Sequence, residues 1–203
     1  MCIDANTSLN TFLIGSISGL ILIIQNMKFI GMKLIFVSLV QLAEYFMWTD
    51  LKCVNGRNQF GNFIGIISLL LQLVGANFIS KEVTTVNILS IFIYLYVLIK
   101  YFYNKTPCSI EGYKGHLKWG FVSSLTKKEA QLLTMHYIIN VYFQPNETPY
   151  TIILYSLLLF YTINITGNNI YDVNYWGSYW CYLSNMIGPI LVFANFIKLY
   201  VMS

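Results

Sequence analysis

Apolar residues gather into seven tracts, at residues 9–24, 29–48, 60–79, 83–103, 131–143, 150–165 and 179–202, and most charges fall in the gaps between them. No tract alternates apolar and polar positions with the period of two that a barrel strand needs. Each is apolar around its whole circumference. A segment in hydrocarbon must satisfy its backbone groups internally, so each tract is expected to be a helix. Roughly 17–25 residues of helix cross a hydrocarbon core of about 30 Å. The expected fold is all-α: a polytopic transmembrane helical bundle of seven helices, forming one integral membrane domain over residues 1–203. The fifth tract is the short one. It holds His136 and Asn140, and Pro145 and Pro149 bracket the turn that follows. Its two readings are a short or tilted span and a re-entrant helix, the second of which reduces the bundle to six.

Composition agrees with this pattern. Hydrophobic residues make up 57% of the chain and charged residues 10%, the balance of a protein solvated by lipid. The formal net charge of +4 is scattered among connectors, with Lys127 and Lys128 the only adjacent basic pair, so no nucleic-acid partner is expected. The leader before the first tract has Asp4 and neither Lys nor Arg. That tract is therefore expected to stay as a helix rather than be cleaved as a signal. No lipidation motif is present.

Polar residues inside the tracts are few, which makes them informative. Glu44, in QLAEYFMW, is the only acid within an expected span; Gln41 shares its helix face and Gln72 lies mid-way along the third tract. Intramembrane polar groups are costly and normally turn toward the bundle interior. Gln41, Glu44 and Gln72 are thus a candidate intramembrane polar site. The competing expectation is interhelical hydrogen bonding near the Trp48 interface position. Gly15 with Gly19, and Gly61 with Gly65, have the spacing that lets helices approach closely, and are expected to pack within the bundle. Gly188 and Pro189 mark an expected kink in the last helix.

With seven spans, alternate gaps fall on one side of the membrane. Cys2, Cys53, Cys108 and Cys181 then share a side, together with Trp48, Asn55, Asn58, His116, Trp119, Trp176 and Trp180, while the opposite turns are short and plain. Four cysteines on one side suggest two disulfides, with three pairings open. Disulfides require an oxidising compartment, so this face is expected to be lumenal or external. The surplus of lysine on the same face argues for the cytosol, and the disulfide expectation is preferred. Residues 109–122 (SIEGYKGHLKWGFV) read as an ordered excursion with a hairpin near Gly112 and Gly115. No metal-ligand spacing, nucleophile motif or phosphate loop occurs, so neither a metal nor another cofactor is expected, and no catalytic residue is assigned.

Met1-Cys2, QLAEYFMW, the Cys53, Asn55 and Asn58 group, HLKW at His116–Trp119 and GSYWC at Gly177–Cys181 resemble an uncharacterised multi-pass membrane protein family, a domain of unknown function found in large DNA viruses and protists. The resemblance implies a viral envelope, an internal virion membrane or a host endomembrane as the location. The leading functional expectation is a non-enzymatic membrane protein whose Cys/Trp-rich outer face binds a ligand or partner, or has a role in membrane structure. A small transporter or channel using Gln41, Glu44 and Gln72 is the alternative, and an intramembrane lipid-modifying enzyme the second. Besides the lipid bilayer, a homo-oligomer or another membrane protein stays open as partner.

Overall fold

The computed structural model describes residues 4–80, 85–112, 116–142, 156–157, 160–161 and 173–201. The helices are α1 (Ala5–Ile24), α2 (Lys28–Trp48), α3 (Arg57–Ser80), α4 (Thr85–Tyr103), α5 (Gly120–Ser123), α6 (Lys127–Tyr142) and α7 (Val173–Val201). Strands β1 (Ile110–Glu111) and β2 (Leu117–Lys118) lie between α4 and α5. They pair antiparallel, Ile110 opposite Lys118, which is the expected hairpin; its tip lies outside the described residues. Among the described residues the fold is all-α apart from this pair. Helices α1 to α4 are each long and apolar enough to cross a membrane. The sixth tract falls almost entirely outside the described residues.

Polarity is distributed as lipid solvation requires. Along α4 the buried positions are Asn87, Ser90, Tyr94, Val97 and Tyr101, at alternating spacings of three and four, one stripe of the helix. The other faces carry Phe92, Leu95, Ile99 and Phe102, all exposed. Helix α1 repeats the arrangement, burying Ser8, Thr11, Gly15, Ser18 and Leu22 while Leu13, Ile17 and Leu20 face outward. Small and hydroxylic residues inside, with large apolar residues outside, mark an integral membrane protein.

Helix ends are chemically specified. Asp4 Oδ1 accepts the Thr7 N–H at 2.7 Å and caps α1. Asn26, at φ 65°, stops it, and the Met27 N–H returns to Leu22 O. Thr126 and Glu129 form a reciprocal capping box at the start of α6.

The glycine pairs act within the bundle, as expected. Gly19 and Gly31 place α1 against α2 so closely that a Cβ on either would meet the other's carbonyl oxygen. Gly61 sits against the Ala43 carbonyl and brings α3 onto α2 in the same way.

Contacts along the bundle give each helix its direction. Successive helices α1 to α4 run antiparallel. Ser90 meets His136 while Tyr96 and Lys100 meet Glu129, so α6 runs antiparallel to α4. Gly15 faces Asn185, Gly188 faces Ser18, and Asn195 donates to Gln25 at 3.1 Å, so α7 runs parallel to α1. Pro189 lies inside α7. One end of the bundle thus collects the start of α1, the α2–α3 connector, the end of α4, the hairpin, α5, and the beginnings of α6 and α7. We call it the cap end.

Candidate functional site

The 104–126 connector folds into the bundle rather than over it. Leu117, Trp119, Phe121 and Val122 are buried and belong to the same hydrophobic core as Val40, Ala43 and Met47 of α2 and Ile66 of α3. Trp119 stacks on Phe121. Its indole N–H donates to Glu44 Oε1 at 3.0 Å, and Glu44 is fully buried. Cys181 of α7 and Tyr94 of α4 are buried in this same core.

Backbone groups of a connector buried at this depth need partners, and three polar side chains supply them. Asn58 Nδ2 donates to Met47 O and Ser109 O, at 3.1 and 3.0 Å, and Asn58 Oδ1 accepts the Ser109 N–H at 2.7 Å. The Asn62 amide donates to Asn58, while Asn62 Oδ1 accepts from Ser109 Oγ and from the Phe121 N–H. Ser109 Oγ in turn accepts the Gly120 N–H at 2.9 Å. Each member thus donates and accepts at once, the condition under which a buried network rigidifies a site.

Two further links close the cap. Cys53 and Cys108 form a disulfide between the α2–α3 connector and the cap. Asp50 accepts the N–H groups of Val54, Asn55 and Asn58, fixing the turn into α3. Burial alone would raise the Asp50 carboxyl pKa. The N–H donors of Asn55, Val54, Asn58 and Arg57 outweigh it and hold the group below its ordinary value.

The expected residues divide as follows. Gln41, Glu44 and Gln72 are all buried, on adjacent helices, and Gln72 Oε1 accepts the Tyr137 hydroxyl of α6 at 2.5 Å. Interhelical hydrogen bonding of the polar set is therefore observed at Gln72, whereas Glu44 bonds to Trp119 of the connector. Among the outer-face residues, Asn55 is exposed and Trp48 half-buried. Asn58, His116 and Trp119 are not on the outer face: His116 and Trp119 are buried because the connector that carries them turns inward, and Asn58 is buried because, from the first turn of α3, it faces that connector. The side chains of Trp176 and Trp180 lie outside the described residues, as does Cys2. The two-disulfide expectation is corrected at Cys181, which is a free thiol inside the core, carried there by the first turns of α7.

Sequence reasoning missed Asn62, Ser109, Tyr94 and Tyr137, whose roles depend on partners far along the chain. Among the described residues no group of three His, Cys, Asp or Glu could hold a metal ion. No protein-family model, curated protein or solved structure matches the chain.

Proposed function

We propose that this chain is a non-enzymatic, seven-crossing integral membrane protein whose disulfide-anchored cap presents a recognition surface for a ligand or protein partner on the lumenal or external side. One observation carries this reading. The cap is held by the Asn58–Asn62–Ser109 hydrogen-bond network and a disulfide, yet beside that disulfide it leaves Val54 77% exposed and Ile110 52% exposed. Apolar residues held out by a stiff frame at one end of a bundle are the anatomy of a contact surface.

Chain direction supports seven crossings. Helix α6 leaves the cap end beside α4, and α7 begins again at the cap end. The disulfide supports an oxidising side for that end. A photoreactive phenylalanine analogue at position 54 or 110, activated in the native membrane, tests the surface. The expected result is a discrete adduct at both positions and none at position 24, which is at least as exposed at the opposite end. Lipid adducts alone at all three would remove the recognition role.

A second reading is favoured by Glu44 itself, an ionisable group fully buried in a spanning helix. In it, Gln41, Glu44 and Gln72 carry protons or a small solute. Reconstituted vesicles should then show a flux that Glu44→Gln abolishes; no flux of protons, common ions or small solutes leaves the cap reading standing.

A further inference from the structure

Between α4 and α6 lies an apolar groove of about 610 Å³ on the outside of the bundle, walled by Phe92 and Val97 on one side and Leu132 and Met135 on the other. Phe92 and Leu132 are 66% and 67% exposed, so the groove is open on its outer side, and with α6 crossing the bilayer as proposed above it faces the hydrocarbon. Its polar lining is confined to the two ends: Tyr96 and Glu129 toward the cap, and His136 away from it, hydrogen-bonded to Ser90 Oγ at 2.9 Å. From Ser90 to Lys100 the helix rises roughly 15 Å, which sets the depth of the apolar section.

The cap end of the groove is positively charged. Lys100 pairs with Glu129 at 3.1 Å, and Tyr96 also donates to that carboxylate. Lys127 and Lys128 stand exposed in the same first turn of α6. Three lysines against one carboxylate leave a surplus of two positive charges at the mouth. The first-turn amides of α6 are partly engaged by the Thr126–Glu129 capping box, so the lysine side chains are the groups left to meet an anion there.

We propose that this groove is a binding site for an anionic glycerophospholipid, one acyl chain lying between α4 and α6 and the phosphate seated at Lys127 and Lys128. An apolar slot open to lipid is filled most cheaply by an acyl chain, and the lysine pair selects the headgroup by charge. The site is separate from the cap surface and does not rest on the recognition role proposed for it.

The test uses the full chain in phosphatidylcholine vesicles doped with phosphatidylserine or phosphatidylcholine bearing a diazirine in the acyl chain. Photolabelled residues are then mapped by mass spectrometry. The expected result is phosphatidylserine label concentrated on α4 and α6, exceeding phosphatidylcholine label there roughly tenfold, with Lys127→Gln/Lys128→Gln removing most of the excess. Met135→Trp, which fills the groove, should lower the label from both lipids on α4 and α6 but not on the exposed face of α1. Retained elution volume and helix content show that each variant is folded. Equal labelling by the two lipids, label spread evenly over all lipid-facing helices, or no label on α4 and α6 because protein occupies the groove would each overturn the proposal.

Discussion

Trp119 donates its indole N–H to Glu44 Oε1 across 3.0 Å, joining the 104–126 connector to the only acid in helices α1 to α4. A buried carboxylate that loses such a donor costs the protein more than an ordinary hydrogen bond, because its desolvation is no longer offset. Trp119→Phe keeps the stacking on Phe121 and removes the donor. It should lower stability by about 2 kcal/mol. In a double-mutant cycle with Glu44→Leu the coupling should be about 1 kcal/mol or more, read from thermal unfolding in detergent. Additive effects would mean the two side chains touch without depending on each other.

The Asn58–Asn62–Ser109 network makes a different prediction, because it holds backbone rather than charge. Asn58→Leu strips partners from Met47 O, Ser109 O and the Ser109 N–H together. A loss of about 3 kcal/mol is expected. The loss should be local, so limited proteolysis should cut within residues 104–126 while α1 and α2 stay protected. Uniform protection of the connector in the variant would show that the disulfide alone holds the cap.

Tyr94 separates a dry core from a hydrated one. Its hydroxyl is buried with no hydrogen-bond partner among the described residues. Removing an unsatisfied buried hydroxyl while keeping the ring is neutral or stabilising. Tyr94→Phe should therefore leave the melting temperature unchanged or raise it. A drop of several degrees would place an ordered water or solute beside Tyr94, Cys181 and Glu44, and would favour the transport reading.

Asp50 gives the acid side of the stability profile a specific source. Its folded pKa lies below the unfolded value. Its contribution is therefore fully present above the unfolded carboxylate pKa, about 3.9, and is lost as pH falls through the lower, folded value. Asp4 is shifted in the same direction, so the comparison to make is wild type against Asp50→Asn. The variant should be less stable at neutral pH, and the gap should close as pH drops below about 4. A gap independent of pH would show that the backbone donors do not favour the charged form.

Much of the bundle was legible because lipid-facing helices must be apolar over a fixed length, and α1 to α4 satisfy that without help from distant residues. The glycine pairs were legible for the same reason: spacing alone puts them on one face. Trp119 was not. An indole in HLKW looks alike whether it lies at the membrane interface or under a cap, and only Glu44, 75 residues earlier, decides between them. His116 is carried inward on the same connector, and Asn58 is buried because it faces that connector from α3. Cys181 was misassigned because counting connectors places a residue near an end of the bundle, whereas α7 begins before it and carries it into the core. The Thr126–Glu129 capping box is legible in TKKE, since Thr and Glu three residues apart ahead of an apolar run are its signature.

The Cys53–Cys108 link is the part of the account on which the others lean, since it anchors the cap and carries the proposal that this end is lumenal or external. The loop it closes, 55 residues apart in sequence, corresponds to at most about 4 kcal/mol in chain entropy. The most direct measurement is labelling by a membrane-impermeant maleimide on sealed vesicles of known orientation, before and after reduction. Cys53 and Cys108 should be unreactive at first, then label after reduction from the lumenal or external side only, with Cys181 protected until the protein is unfolded. Labelling of Cys53 and Cys108 without reduction, or from the cytosolic side, would contradict the account.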